Sequence, residues 1–577
     1  MTHYTDEKQA QIVIALLKAH GVRRVVASPG ATNITFVGSI QTDPFFTVYS
    51  AVDERSAAYM ACGLAEESGE PVVISCTGAT ASRNYLPGLT EAFYRKLPVL
   101  AVTSTQPQAR IGHHIAQVID RSSPLNDVVK LSVDLPIVHD AEQIWECEMK
   151  VNRAILELKR HGGGPVHINL PTNYSRDFSV KALPNYRKID RWGWGDTLPE
   201  LKGRVALFIG AHRTFGAAET AAIEGFCEAH DAVVFCDHTS GYYGKYRIQS
   251  ALIGGQERSN QSAIRPDVLI HLGEISGDYE SHKIPRKTVW RVSPDGEIRD
   301  TFRKLRHVFE MPERQFFEHY TQDTAGKTGY YETCKTMLAQ KRALVPDLPF
   351  SNLWIASQFA AQIPKGSVVH FAILNSLRAW NFFDLPEGVR AASNTGGFGI
   401  DGCMSSLVGA ALADPDRLYF LVTGDLAFFY DMNVLGNRHL GKNVRILLIN
   451  NGKGTEFTQH NHAGSNFGAD ANAYIAADGH FGRMSPELVK GYAEALGLDY
   501  VAFRAKHENA EIAARLLSPE MAARPLLVEA FLDAEDESNA LKAIKNLESN
   551  LSGDAKYRMR KLLGPTKVRA LKKVLGK

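Results

Sequence analysis

The sequence predicts an α/β protein made of three consecutive doubly wound domains, each built on a parallel sheet. Short runs of apolar residues alternate with helical patterns along nearly the whole chain, which is typical of βαβ units. A chain of 577 residues is long enough for three or four domains of ordinary size. No short-period repeat or low-complexity tract interrupts the alternation.

The first domain is predicted over residues 1–180. Its N-terminal segment has the pattern of an amphipathic helix, and the segment 162–174 is predicted as a closing strand after a glycine-rich approach. The other elements expected here are strands at 25–28, 72–76 and 99–103, with helices at 56–65 and 91–94.

Residues 180–200 are rich in proline, tryptophan, glycine and charge, which predicts a linker. A second domain is predicted over 195–330, and a charged helical stretch at 311–345 leads to a third domain over 345–540. The strands expected in these two domains are 205–210, 232–237, 268–273, 289–292, 368–371, 418–423, 444–450 and 526–531.

The tail at 541–577 carries eleven lysines and arginines against two acidic residues. It is either a solvated helical appendage or a basic helix that binds a surface.

Composition excludes several classes of protein. The net charge of +2 gives no reason to expect nucleic acid as a partner. The seven cysteines are odd in number and form no Cys-x-x-Cys pair, which argues against a zinc site or a disulfide framework and favours a reducing compartment. The N-terminus lacks the features of a signal peptide, and no apolar run is long enough to cross a bilayer. We therefore expect a cytoplasmic protein.

The strongest local signal for chemistry lies in the third predicted domain. Thr423-Gly424-Asp425 follows one apolar strand, and Asn450-Asn451-Gly452 follows the next. Ligands of open α/β sheets bind at the carboxyl ends of the strands. The Asp425 carboxylate, the Asn451 amide oxygen and the Lys453 backbone carbonyl are hard oxygen ligands of the kind that Mg²⁺ prefers, with phosphate and water completing the shell. The alternative is a pair of ordinary turns that end two strands.

This spacing resembles the signature of thiamine-diphosphate-dependent enzymes, in which Gly-Asp is followed some two dozen residues later by Asn-Asn. The resemblance implies three domains in the order pyrimidine-binding, central and diphosphate-binding. It also implies a glutamate in the first domain, which Glu54 supplies ahead of Ala57, Ala58 and Ala61. By resemblance, Glu54 donates a hydrogen bond to N1′ of the cofactor. Taken alone, Glu54 is an ordinary acid at a helix start.

Within this family, several stretches are most similar to the menaquinone-pathway 2-succinyl-5-enolpyruvyl-6-hydroxy-3-cyclohexene-1-carboxylate synthases. The resemblance makes Ile400 the apolar wedge beneath the cofactor, Phe398 the carbonyl that holds its 4′-amino group, and Gln117 an active-site residue. An isolated isoleucine is also a common core residue. The remaining residues that the resemblance places at the cofactor are Ser28, Pro29, Gly30, Asn375, Ser376, Gly424, Leu426 and Ala427.

Two positions depart from the synthases. Thr32 and Thr395 stand where those enzymes have arginines that bind substrate carboxylates, and a hydroxyl is a poor replacement for a bidentate guanidinium.

His113 and His114 resemble an adjacent pair near the active centre of related decarboxylases. They either transfer a proton or are surface loop residues.

A carboligase is the leading hypothesis. It would decarboxylate a 2-oxo acid and transfer the resulting acyl-anion unit to a carbonyl or sugar-derived acceptor. The alternatives are a simple decarboxylase that releases an aldehyde and a non-catalytic subunit with the same fold.

The resemblance implies thiamine diphosphate and Mg²⁺ as cofactors and a homodimer or dimer of dimers. The glycines near Gly210 suggest a dinucleotide-type central fold without a Gly-x-Gly-x-x-Gly motif.

Overall fold

A computed structural model describes residues 3–257, 259–322, 328–460, 462–481 and 483–548. The chain forms two compact units. Unit 1 comprises Met1–Asp196 and Gly296–Glu310, and unit 2 comprises Thr197–Asp295 and Met311–Lys577. Helices and strands are numbered along the chain.

The helices and strands of unit 1 alternate, as the sequence predicts. Its helices are α1 (Lys8–Ala19), α2 (Ile34–Ile40), α3 (Glu54–Ser68), α4 (Thr80–Asn84), α5 (Leu86–Tyr94) and α6 (Ala141–Glu157). Its strands are β1 (Arg24–Ala27), β2 (Thr47–Ser50), β3 (Val72–Thr77), β4 (Val99–Thr105), β5 (Leu131–Asp134), β6 (Val166–Pro171), β7 (Asp190–Gly193) and β13 (Leu305–Glu310).

Six of these strands form a parallel sheet in the order β2-β1-β3-β4-β6-β5. Successive residues of a strand face opposite sides, so Val25 packs in a core cluster with α1 and α6, whereas Val26 packs in the cluster with α3 and α5. Both faces of the sheet are therefore covered, which defines a doubly wound unit. Strand β7 pairs in parallel with β13.

Unit 2 contains two more parallel sheets. Its strands are β8 (Val205–Ile209), β9 (Val233–Cys236), β10 (Arg247–Gln249), β11 (Val268–Leu272), β12 (Thr288–Val292), β14 (Val368–Phe371), β15 (Arg390–Ser393), β16 (Tyr419–Gly424), β17 (Val444–Asn450), β18 (Asp499–Phe503) and β19 (Leu526–Phe531). Its helices are α7 (Ala217–His230), α8 (Ala251–Gly254), α9 (Glu313–Tyr320), α10 (Tyr330–Ala343), α11 (Asn352–Phe359), α12 (Asn375–Trp380), α13 (Cys403–Leu412), α14 (Asp425–Asp431), α15 (Ala471–Tyr474), α16 (Leu488–Ala495), α17 (Asn509–Leu516) and α18 (Ala534–Ile544).

Five strands of unit 2 follow the order β10-β9-β8-β11-β12, which is the order of dinucleotide-binding folds. The backbone segments that follow β8 and β11 approach each other closely at Gly210 and Glu274. A Cβ atom added to Gly210 would lie 2.0 Å from the carbonyl oxygen of Glu274. Ligands of such folds normally bind at this point of the sheet.

The second sheet of unit 2 has the order β15-β14-β16-β17-β19-β18, and all its pairings are parallel. The predicted α/β class with three parallel sheets is confirmed.

Two local expectations need correction. The segment predicted as a linker at 180–200 contains β7, which is held by its pairing with β13. In the basic tail, Lys545 is buried rather than solvated, because its ammonium lies 3.0 Å from a Glu280 carboxylate oxygen and 3.4 Å from one of Glu257. Residues 549–577 of the tail lie outside the described part of the chain.

Candidate active site

Asp425 begins α14 at the carboxyl end of β16 and is 5% exposed. Its two carboxylate oxygens accept the backbone N–H groups of Leu426 and Gly452, each at 2.7 Å. Burial raises the pKa of the Asp425 carboxyl to about 6. No lysine, arginine or histidine among the described residues pairs with it, so the site holds a buried acid that has no counter-charge from the chain.

Asn451 follows β17, which is the neighbour of β16 in the sheet. Its amide nitrogen donates to the Thr455 hydroxyl at 3.2 Å, whereas its buried amide oxygen has no partner among the described residues. The Lys453 carbonyl accepts the backbone N–H of Thr455 at 2.8 Å, and a carbonyl oxygen keeps a second lone pair. The predicted ligand oxygens of Asn451 and Lys453 thus lie on one short segment after β17, and that of Asp425 lies at the end of the neighbouring strand β16.

A small cavity lies against Asp425 and is closed by aromatic residues. The rings of Phe429 and Phe481 stack with centroids 4.3 Å apart, and both line the cavity. Glu537 of α18 approaches Asn451 from elsewhere in the sequence. Burial raises the pKa of the Glu537 carboxyl to about 7, and this residue carries no sequence motif that could have identified it.

A larger cleft of about 340 Å³ also lies in unit 2. Asn375 at the start of α12 lines it and lies 3.1 Å from the Thr455 hydroxyl, which also binds Asn451. This hydroxyl therefore connects the cleft to the proposed metal ligands. The residues that line the cleft are Tyr279, Glu280, Asn352, Leu353, Leu374, Asn375, Arg378, Ala379, Phe382, Phe398, Glu456, Phe457, Gln459, His462, Glu537 and Leu541.

Two non-glycine residues of this cleft have left-handed backbone. Leu374 has φ +69° just before α12, and Phe398 has φ +58° in the loop between β15 and α13. Such conformations cost free energy and tend to occur at functional sites. Ile400 is half-buried and packs against Ala372 and Cys403. Its position near Phe398 suits both a wedge beneath a ligand and ordinary packing.

Arg378 is an arginine among the described residues that line this cleft. Its guanidinium lies 4.1 Å from the centroid of the Tyr279 ring, and one terminal nitrogen pairs with Glu456. The other terminal nitrogen, Nη2, is buried and has no partner among the described residues. No local motif singles out Arg378, because its partner Glu456 is distant along the chain.

The site residues predicted in the first domain lie at the carboxyl edge of the unit 1 sheet. Glu54 is the first residue of α3 and is half-buried, and Asp53 caps this helix through the Ser56 N–H at 3.1 Å. Ser28 is buried after β1, followed by Pro29 and Gly30. A Cβ atom on Gly30 would lie 1.8 Å from a methyl carbon of Thr77, so only glycine allows the loops after β1 and β3 to approach so closely.

Gln117, His113 and His114 lie on the loop that follows β4, and all three are exposed. Gln117 has φ +63° and His114 has φ +55°. The loop is fixed to the end of the strand by a hydrogen bond of 3.3 Å from the Gln106 amide to the Ala116 carbonyl. The histidine pair is thus accessible, as either of its two interpretations requires.

Comparison with known proteins assigns this arrangement to a family. Residues 7–123 match the family model described as "Thiamine pyrophosphate enzyme, N-terminal TPP binding domain". The chain is 31% identical over 564 residues to a 2-succinyl-5-enolpyruvyl-6-hydroxy-3-cyclohexene-1-carboxylate synthase of Phocaeicola vulgatus, covering 93% of this chain and 98% of the relative. The chain belongs to the thiamine pyrophosphate enzyme family.

Other relatives with the same name are similar to the chain over most of their length. An enzyme of the same name from Bacteroides thetaiotaomicron is 31% identical over 565 residues, covering 93% of this chain and 98% of the relative. Another from Flavobacterium johnsoniae is 28% identical over 477 residues, covering 78% and 84%. Membership confirms the predicted enzyme class and thiamine pyrophosphate as the cofactor, with a divalent metal as is usual in the family.

The residues present fit these cofactors. An uncompensated carboxylate at Asp425 and an unpartnered amide oxygen at Asn451 are the donor types that Mg²⁺ takes when it binds a diphosphate. Within the described part of the chain, none of the helices is both long and apolar enough to cross a membrane.

Proposed function

We propose that this thiamine-diphosphate enzyme is a carboligase that decarboxylates a 2-oxo acid and joins the remaining acyl unit to an acceptor. The unpartnered amide oxygen of Asn451 beside the buried Asp425 is the observation that carries the proposal. The names of the similar enzymes support it, because all three are synthases.

In this proposal, the Asp425 carboxylate, the Asn451 amide oxygen and the Lys453 carbonyl hold Mg²⁺ and, through it, the diphosphate. Bound thiamine diphosphate supplies the carbon nucleophile of the reaction. Glu54 would hold a proton at N1′ of the pyrimidine. The start of α14 would bind the diphosphate, with Gly424 just before the helix and Leu426 and Ala427 in its first turn. Ile400 and the Phe398 carbonyl position the pyrimidine.

Arg378 is proposed to bind the carboxylate of the 2-oxo acid. Arg378 lines the cleft, its Nη2 is a charge-assisted donor without a partner among the described residues, and the Tyr279 ring packs against the guanidinium. Thr32 is unsuited to this role, since it is 2% exposed and its hydroxyl donates to the Ser104 carbonyl at 3.0 Å. Thr395 is buried as well and carries no charge.

The acceptor is proposed to be a neutral aldehyde or keto-sugar. An acceptor with two carboxylates needs two cations, because burying each unpaired carboxylate costs several kcal/mol. Arg378 supplies one guanidinium to the cleft, and Glu456 already neutralises part of its charge.

The deciding experiment measures carbon dioxide release and coupled products over a panel of 2-oxo acids, with thiamine diphosphate and Mg²⁺. Each acid is tested without an acceptor and with an aldehyde, a keto-sugar or isochorismate. We expect a coupled product with a neutral acceptor. Efficient coupling of 2-oxoglutarate to isochorismate would instead show that the chain has the activity of the menaquinone-pathway synthases.

The simple decarboxylase is the second candidate, favoured by the exposed His113 and His114 on a loop at the sheet edge. In the same panel it would release an aldehyde at an equal rate whether or not an acceptor is present. A non-catalytic subunit would release no carbon dioxide from any acid. Either result would refute carboligation.

The role of Arg378 has a separate test. Arg378→Gln should raise KM for the oxo acid about 10- to 100-fold, the range expected for losing a hydrogen bond to a charged group. Arg378→Lys should recover part of this loss. Arg417→Gln is the control, since Arg417 is a partly exposed residue paired with Asp414 outside the cleft. An unchanged KM in Arg378→Gln would remove the residue from the substrate site.

A further inference from the structure

The large cleft of unit 2 has a carboxylate in its wall that the proposed function does not use. Glu280 lines the cleft and is 8% exposed. Both ligands proposed for this region are anionic, since the cofactor carries a diphosphate and the 2-oxo acid a carboxylate. Repulsion between like charges would weaken the binding of either ligand unless the charge of Glu280 is compensated.

Lys545 supplies a compensating charge from the end of α18. Its ammonium lies 3.0 Å from a carboxylate oxygen of Glu280 and 3.4 Å from one of Glu257, and its side chain is 1% exposed. Water and salt screen such a buried pair only weakly, so the attraction is strong. Lys283 also pairs with Glu280, but the side chain of Lys283 is half-exposed and its contribution is correspondingly smaller.

The backbone on both sides of Lys545 is docked onto the segment that follows α8. The side-chain amide of Gln256 donates to the Ile544 carbonyl at 2.9 Å and accepts the Leu547 N–H at 3.2 Å. The Lys545 carbonyl accepts the Glu257 N–H at 2.9 Å. These hydrogen bonds fix the root of the Lys545 side chain, so the place of the ammonium does not depend on the ion pairs alone.

The second partner of Lys545 is also ionised. Burial favours the neutral form of Glu257, but His460 and Lys545 outweigh it and lower the pKa of this carboxyl to about 2. One buried ammonium therefore serves two carboxylates. Removing the ammonium would leave both carboxylates without their shared cation, and one of them lines the cleft.

We propose that Lys545 is a positioning residue of the cleft, which fixes the Glu280 carboxylate in the wall and compensates its charge so that an anionic ligand can bind. Leu541 and Glu537 of α18 line the same cleft, so this helix connects the docked segment to the wall. For the oxo acid this inference rests on the proposed function, whereas for the diphosphate it rests on the cofactor of the family.

Two anionic ligands test this role in the full-length chain with saturating Mg²⁺. Calorimetry gives the Kd of thiamine diphosphate, and steady-state kinetics give KM and kcat for the preferred 2-oxo acid. Lys545→Met should raise Kd and KM about tenfold, the size expected for one uncompensated charge at a partly buried site, and change kcat by less than about threefold. Glu280→Gln should bind both anions about two- to fivefold more tightly than the wild type. The double variant Lys545→Met/Glu280→Gln should return to within about threefold of the wild type, because it lacks both charges.

Lys542→Met is the matched control, since Lys542 is exposed on the same helix. It should leave Kd, KM and kcat unchanged. Wild-type binding in Lys545→Met, or a double variant that binds no better than Lys545→Met, would overturn the proposal. If Lys545→Met fails to fold, Glu280→Gln decides: tighter binding of thiamine diphosphate supports the proposal, and equal or weaker binding refutes it. If no oxo acid is turned over, the proposed function fails, whereas the binding of thiamine diphosphate still tests Lys545.

Discussion

Replacing Asp425 by asparagine removes the anionic group of the proposed metal site while almost preserving the side-chain volume. Both carboxylate oxygens accept backbone N–H groups at 2.7 Å, and asparagine offers one oxygen instead of two. One buried N–H therefore loses its acceptor, which should lower the free energy of unfolding by about 1–3 kcal/mol. The metal would also lose its charged ligand and keep only neutral oxygens.

The assay separates these two effects by measuring chemical unfolding with and without thiamine diphosphate and Mg²⁺. For the wild type, cofactor at about 100 times its Kd should add about 2.7 kcal/mol. For Asp425→Asn we expect the intrinsic loss of stability and no gain from the cofactor at the same concentrations.

Asp431→Asn is a close structural control. Asp431 lies on the same helix, is 6% exposed, and accepts two hydrogen bonds from Ser405, one of them from the backbone N–H at 2.6 Å. It should lose a similar amount of intrinsic stability yet keep the full gain from the cofactor. If Asp425→Asn gains as much stability as the wild type does, Asp425 is not a metal ligand and the proposed site is wrong.

Three further predictions concern proton transfer, pH and assembly. Glu54→Gln should retain cofactor but slow exchange of the cofactor C2 proton by orders of magnitude, measured by NMR after acid quench, and exchange at the wild-type rate would contradict its role. Burial raises the pKa of the Asp278 carboxyl from 3.8 to about 6, so the folded state binds this proton more tightly than the unfolded state does. The free energy of unfolding should therefore fall by up to about 3 kcal/mol as the pH rises from about 4 to 7. Denaturant titrations across that range should show a correspondingly smaller decline for Asp278→Asn, and an equal decline would exclude Asp278 as its source. Light scattering should show a dimer or a larger assembly. Mixing Glu54→Gln with Asp425→Ala should restore part of the activity if each site draws on two chains, whereas no recovery would place the site within one chain.

The strands that the sequence identified are those buried on both faces. Strands β4 and β17 are buried at every residue, so their apolar runs are continuous and easily recognised. Strands β2 and β15 were missed because they lie at sheet edges and are largely half-exposed or exposed. A strand with one neighbour needs no continuous apolar run, and its short sequence then gives no clear periodicity.

The placement of Asp425 and Asn451 at the ends of two strands could be predicted from local sequence. Asp425 and Asn451 follow adjacent parallel strands, so their meeting at one sheet edge is a consequence of the fold class that the apolar runs predict. The structure added two facts about this edge. The amide oxygen of Asn451 has no partner among the described residues, and no described cation lies beside Asp425.

Tertiary structure alone decided which charged residues have partners. Arg378 meets Glu456 across 78 positions of sequence, and Lys545 meets Glu280 across 265, so no local pattern could predict that the first lines a cleft or that the second is buried. Hydrophobic periodicity records how each segment faces the core, whereas the pairing of a buried charge depends on which distant segments close around it.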